Sequence, residues 1–530
     1  MNKKLLKTGL ALTLFTSLLA GCGTPKSAST GPSDTAANVS KEGFPIVEKP
    51  ITLSMMGKDT GMQNWNDMVV FDEMEKLTNI KLEFRNAPMD SFDTKKNLVF
   101  ASGDLPDMFY AAELTKAEEV NYGTQGILIP LEQLIEDYAP NIKKVLEENP
   151  DIKKSITTPD GHIYSLPRID LTAVWNHGPI WYNGAYLEAL GVDKLPETTE
   201  EFYTYLKRIK EEDPNGNGKA DEIPLVSVKI EDIRRYFEGA FGLYDEVIYT
   251  DDDNKVRYTP MEEGYRGYLT YLNRLWEEKL LDPETFSQTD EQKKSKGKSD
   301  RVGLFSDWHP YFTLGGEPDT ADKMMIPLKS DMVDKPAYGK STGLSTGAFA
   351  ISSTNPAPEA TMRWVDYLYT YEGSTLFDKG PEGTMWKYVG ENTKEKEEVA
   401  IPGGGDREEF RATLTPNYGI VSPGITIPEV NLGLKTEFDE WVDKETAEKL
   451  APIARVPYPN VYLTPEEQEE ASRLRSDLDK YVEEMEAKFI TGQESLDKWD
   501  SYVEQLKKMG AERVAEIYQG AYDKWAQQPS

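Results

Sequence analysis

Asp213-Pro-Asn-Gly-Asn-Gly-Lys-Ala-Asp-Glu222 lies between a segment of helical periodicity and a short apolar run, Ile223-Pro-Leu-Val-Ser-Val228. Upstream, Thr198-Thr-Glu-Glu201 has the spacing of a capping box. Phe202, Tyr205, Leu206 and Ile209 then fall on one helical face. Helix, short loop and buried strand make the unit from which an α/β layered fold is built. Within the loop, counted from Asp213 as position 1, side-chain oxygens stand at positions 1, 3, 5 and 9 and Gly218 at position 6. That alternation is the first part of a calcium loop, in which a hard cation gathers oxygens around a tight glycine turn. Lys219 would offer its carbonyl. Position 12 is Pro224, so the bidentate role passes to Glu222. The same residues also suit an Asn-Gly turn in an acidic surface loop. An ion here would be structural, with no catalytic water implied.

The rest of the chain repeats the unit. Ile51-Thr-Leu-Ser-Met and Ile80-Lys-Leu-Glu-Phe read as strands around a helix over 65–77. Ile180-Trp-Tyr, Val302-Gly-Leu-Phe and Leu344-Ser-Thr-Gly-Ala-Phe-Ala-Ile read as further strands, each followed by a helical or loop pattern. The last 65 or so residues are helical, broken at Gly510. No internal repeat is found.

Lys3, Lys4 and Lys7 precede an apolar run over 10–19 that is too short to span a bilayer. It ends in Leu18-Leu19-Ala20-Gly21-Cys22, similar to a lipobox, and Cys22 is the only cysteine, so no disulfide framework accounts for it. Residues 1–21 are therefore expected to be a lipoprotein signal peptide. Residues 22–44, rich in Ser, Thr, Ala, Pro and Gly, are expected to be a flexible tether carrying lipid on Cys22. The protein is then expected on the extracytoplasmic face of the cell membrane, as a monomer. A net charge of −32 excludes a nucleic-acid footprint. Ten Trp and 28 Tyr exceed what cores demand and hint at flat platforms for sugar faces.

An enzyme finds little support. His162, His177 and His309 are the only histidines and none makes an HExxH spacing; GxSxG, P-loop and dinucleotide glycine patterns are absent.

Several segments together resemble the extracellular solute-binding proteins of carbohydrate ABC importers: the lipobox, Ser102-Gly-Asp-Leu-Pro-Asp107, Asp160-Gly-His-Ile-Tyr-Ser-Leu-Pro167, residues 184–195, Gly380-Pro-Glu-Gly-Thr-Met-Trp386, and Ile490-Thr-Gly with Trp499, Tyr502 and Met509-Gly510. The calcium segment is similar to that of the large oligosaccharide-binding, alginate-binding-like members. The resemblance implies that Asp213, Asn215, Asn217, Lys219 (carbonyl), Asp221 and Glu222 take the ion-ligand roles. Many relatives carry an Arg in the strand where this chain has Trp181-Tyr182-Asn183, so that contact is not carried over.

The expected fold is two-lobed and periplasmic-binding-protein-like, with hinged α/β lobes and a ligand cleft between them. Lobe one takes 45–167 and 350–428; lobe two takes 168–349 and 429–530 with the loop 213–222. The expected function is to capture an oligosaccharide, of uronic-acid type in one version, and deliver it to the permease membrane subunits. Candidate ligand contacts are Trp308, Tyr311, Trp386 and Trp65 as platforms, and Arg85, Arg168 and Asn183 as hydrogen-bonding groups. The alternatives are a lipid-anchored peptide-binding or adhesion protein, and a polysaccharide-degrading enzyme.

Overall fold

Two β-sheets, each with its own core, carry the chain. The computed structural model describes residues 39–172, 179–244 and 247–528. The signal peptide, Cys22, most of the tether and His177 lie outside the described residues.

In the first sheet, β1 (Ile51–Asp59) is flanked by two parallel neighbours, β2 (Ile80–Phe84) and β4 (Met108–Tyr110). The short β3 (Ala87–Pro88) extends the end of β1. Beyond β4 come β13 (Leu344–Ile351), antiparallel, then β5 (Leu166–Asp170) and β16 (Gly424–Thr426). Alternation along β1 sets its two faces. Leu53 and Met55 enter one core with Phe71, Trp364 and Phe377, while Met56 joins Phe92, Phe100 and Phe109 in the other.

The second sheet has the order β11 (Lys323–Met324), β6 (Ile180–Tyr182), β10 (Val302–Ser306), β7 (Ile223–Val226). Around it are the hairpin β8 (Ile248–Thr250) and β9 (Val256–Tyr258) and the pair β12 (Tyr338–Gly339) and β17 (Ala454–Arg455). The hairpin β14 (Trp386–Tyr388) and β15 (Lys396–Glu398) stands apart from both sheets. The core of the second sheet takes Leu478, Met485 and Phe489 from the helix Pro465–Ile490 and Trp499, Tyr502 and Leu506 from Trp499–Met509.

Pairing directions place the ends of these strands. The C-terminal ends of β1, β2, β4, β5 and β16 and the N-terminal end of β13 share one edge of the first sheet. The C-terminal ends of β7 and β10 share an edge with the N-terminal end of β6. The chain passes from the first edge to the second between β5 and β6, returns into β13, and leaves again after β16. The sheets are thus joined edge to edge by three passages, an arrangement that leaves strand-end loops lining the gap.

Three expectations are corrected. The boundaries at 167/168 and 349/350 fall inside β5 and β13, which pair in the first sheet beyond those points, Ile169 opposite Leu344. The helix over 65–77 is two pieces, a 3-10 turn Trp65–Asp67 and the helix Val69–Thr78, because Met68 between them is extended. Its break lets Trp65 turn inward.

Candidate functional site

Asp213–Glu222 follows the helix Thr199–Glu211, whose capping box forms as read. Asp213 adopts a left-handed φ of 48°, and Gly216 and Gly218 have φ of 67° and 75°. The turn is wound by side-chain oxygens accepting from backbone amides. Asp213 Oδ1 takes Asn217 N (3.1 Å) and Asp213 Oδ2 takes Gly218 N (2.9 Å). Asn215 Oδ1 accepts from Asn217 N (3.0 Å) and Asn217 Oδ1 from Lys219 N (2.8 Å). The oxygens therefore point inward over a ring of N–H groups. Arg301 Nε donates to the Asp221 carbonyl (3.0 Å) and Asn215 Nδ2 to the Asp300 carbonyl (2.9 Å), fastening the loop to the start of β10.

Glu222 is the residue that tests whether an ion fits. Both of its carboxylate oxygens are shielded from solvent and receive no hydrogen bond. Burial pushes its carboxyl above the ordinary range, and nearby Asp213 and Asp221 push it further. A shielded carboxylate without a donor needs a cation or a proton. Among the described residues no group of three or more His, Cys, Asp or Glu side chains is gathered as a metal site. The fit rests instead on the mixed carboxylate, amide and carbonyl set that hard cations take.

At the joined edge of the second sheet, β10 runs into Asp307 and Trp308. Asp307 N donates to the carbonyl of Pro179, the residue before β6, so this loop abuts the passage between the sheets. Trp308 is 53% exposed. Next in the chain are His309 and Tyr311, stacked at 5.2 Å, with Phe312 edge-on to both. Phe438 and Trp441, one helical turn apart on the helix Glu437–Lys449, close the cluster against Trp181. Burial pushes the His309 imidazole below its usual range, favouring the neutral ring. The result is an exposed indole one residue before a packed aromatic cluster, the kind of side chain a sugar platform uses.

At the edge of the first sheet, Lys58 at the end of β1 meets Glu113 just past β4, Nζ to Oε2 2.6 Å. Ala111 and Glu113 both hold positive φ, 50° and 46°. Each costs about 1–3 kcal/mol for a non-glycine residue, strain that concentrates at ligand-contacting loops. Opposite them Gly347 has φ 72°, and a Cβ there would meet the Leu114 carbonyl oxygen at 2.1 Å.

Of the residues read from sequence, Trp308 and Tyr311 stand at the joined edges. Arg85 extends the C-terminal end of β2 and donates to Asp104 Oδ2 (2.7 Å) and its carbonyl (3.1 Å). Arg168 lies on β5, Nη2 donating to Thr426 Oγ1 (2.5 Å), with Asp378 at 4.0 Å. Three candidates, Trp65, Trp386 and Asn183, are buried and engaged within the fold. Trp65, 2% exposed, fills the space over Gly57 and stacks on Phe71. Trp386, 4% exposed and on β14, donates Nε1–H to the carbonyl of Gly380 (2.9 Å), which caps the helix Tyr371–Lys379. Asn183 is a buried N-cap, Oδ1 accepting from Ala185 N and Nδ2 donating to the Val302 carbonyl. Lys58, Glu113, Phe312, Phe438 and Trp441 went unread, because each is a lone residue until the sheets set it beside its neighbours.

The family model of bacterial extracellular solute-binding proteins matches residues 63–375. The fructooligosaccharide ABC transporter substrate-binding protein FusA of Streptococcus pneumoniae is 28% identical, with 98% of each chain covered. FusA in complex with kestose superposes with a TM-score of 0.73 at 25% identity, over 90% of this chain and 99% of FusA. An EF-hand mutant of FusA with fructo-nystose superposes at 0.72, again at 25% identity and over the same shares. The alginate-binding protein AlgQ2 without calcium ion shares the fold at a TM-score of 0.66 and 22% identity, over 90% of this chain and 99% of AlgQ2.

Proposed function

The chain belongs to the bacterial extracellular solute-binding proteins, and on that premise we propose that it captures an oligosaccharide between its two sheets' lobes and hands it to an ABC permease. The observation that carries this reading is Trp308, an exposed indole at the end of β10 beside the passage from β5 to β6. A ligand stacked there and touching the strand ends of the first sheet would favour the closed arrangement through contacts absent when the lobes part. FusA, similar along nearly the whole chain, supports a saccharide as the solute.

In this reading Cys22 carries the lipid that holds a monomeric receptor on the outer face of the membrane. Among the described residues no helix is long and apolar enough to cross a bilayer. Calcium bound by Asp213, Asn215, Asn217, the Lys219 carbonyl, Asp221 and Glu222 would brace the helix-to-strand turn and neutralise the shielded Glu222 carboxylate. The protein binds its glycan and releases it unaltered.

The test is a thermal-shift screen of residues 41–530 against neutral and uronic-acid oligosaccharides, kestose and fructo-nystose included, followed by chromatography of the recovered glycan. Selective stabilisation with intact glycan is expected. No shift with any sugar would favour a peptide-binding or adhesion role, and a cleaved glycan would favour a hydrolase.

A further inference from the structure

The backbone at Trp308 is held by the side chain of the residue before it. The Asp307 side chain is only 8% exposed. Its Oδ1 accepts from Trp308 N (2.8 Å) and its Oδ2 from Thr313 Oγ1 (2.7 Å). The same Oδ2 faces the buried Lys293 ammonium at 3.1 Å, and Lys293 also donates to the Ser306 carbonyl at 2.7 Å. One carboxylate thus ties together both ends of the loop 307–313. The Asp307 backbone reaches the other way. Its N–H meets the Pro179 carbonyl (3.2 Å) and its carbonyl accepts Trp181 Nε1–H (2.9 Å).

We infer that Asp307 is the positioning residue of the binding site, fixing the backbone from which the Trp308 indole projects and joining that point to the passage between the sheets. This rests on the reading of Trp308 as a ligand contact. Three bonds to a shielded carboxylate, two of them within its own loop, preorganise the loop backbone that carries the exposed indole, so little loop freedom is lost on binding. The bonds to the Pro179 carbonyl and from the buried Trp181 indole N–H fasten the Asp307 backbone to β6 and to the residue before it.

The test uses the protein labelled with 5-fluorotryptophan and observed by fluorine NMR, with the Trp308 line assigned by its loss in Trp308→Phe. Asp307→Asn and the milder Thr313→Val are each expected to shift or broaden that line in the ligand-free protein, and Thr313→Ser to leave it in place. In kestose titrations both variants should weaken binding about tenfold in the Trp308 chain and hardly at all in a Trp308→Ala background, as coupled residues do. An unmoved Trp308 line in both folded variants overturns the positioning role. If Trp308→Ala binds the sugar as the wild type does, or neither kestose nor any other oligosaccharide of the panel binds, the platform reading falls, and the NMR lines still decide whether Asp307 orders the indole. Equal weakening in both backgrounds also overturns the inference, since Asp307 would then act on the fold alone.

Discussion

Tyr462 donates its hydroxyl hydrogen to Glu119 Oε2 at 2.9 Å, joining the segment before the helix Pro465–Ile490 to the helix Lys116–Thr124 beside the first sheet. Ser165 Oγ donates to the same oxygen at 2.6 Å, and Gly347 N donates to Ser165 Oγ at 3.2 Å, so the link runs on into β13. Lys116 Nζ adds a bond to the Val461 carbonyl at 2.8 Å. The C-terminal helices pack mainly around the second sheet, so this contact ties the two halves independently of the passages.

Burial pushes the Glu119 carboxyl up to about 7, outweighing the Ser165 and Tyr462 hydrogen bonds and the nearby Lys116 charge, while Glu118 adds to the rise. The folded state therefore holds a proton that the unfolded chain releases near the ordinary value of 4.5. With more protons bound when folded, stability falls as pH rises from about 4.5 to about 7 and is flat above. Glu119→Gln removes this dependence. The melting temperature of the variant relative to wild type should climb between about pH 5 and 7 and then level off. A difference that stays constant across that range contradicts the assignment.

Trp308→Ala should weaken binding of the best oligosaccharide in the screen by about 10- to 100-fold, the loss of an aromatic platform worth about 1–3 kcal/mol. Its melting temperature should move little, because half of the side chain already faces solvent. Titration calorimetry and a melting curve on the same sample separate the two effects. A variant that binds normally removes Trp308 from the site.

Chelation should lower the melting temperature by several degrees, since an ion bound only to the folded state stabilises by mass action, about 2.7 kcal/mol at a hundredfold excess over Kd. Glu222→Gln should abolish the response to calcium and chelator. Differential scanning calorimetry with and without calcium decides it, and melting curves that overlay would leave the loop as an Asn-Gly turn.

Trp386→Ala should do the opposite of Trp308→Ala. It empties a packed position and leaves the Gly380 carbonyl without its donor, at about 3–5 kcal/mol. The melting temperature should drop while the affinity of the folded protein holds. Loss of affinity without loss of stability would return Trp386 to the site.

The sequence is most legible where local chemistry decides the structure. Thr198 and Glu201 form their capping box, and the alternation of Asp213, Asn215 and Asn217 already contains the winding of the loop, since each oxygen meets an amide a few residues on. The strands and the two-lobed family also follow from periodicity and quoted motifs. What periodicity leaves open is which side of a ring faces solvent. Trp65, Trp308 and Trp386 look alike in a string, and only tertiary packing decides between them: Gly57 makes room for Trp65, and the Gly380 carbonyl captures Trp386. Asn183 likewise reads as a free amide until the helix Gly184–Ala189 places it at an N-cap. The pair Lys58 and Glu113 joins two strands 55 residues apart in the chain, and nothing local links them.

The most direct measurement is a calorimetric titration of the calcium-loaded protein, residues 41–530, with the oligosaccharide that gives the largest thermal shift, run beside Trp308→Ala. Saturable one-to-one binding by the wild type, about tenfold or more weaker in the variant, with the glycan recovered intact, is the predicted result. No heat of binding with any glycan, or identical isotherms for the two proteins, would contradict an oligosaccharide receptor built around Trp308.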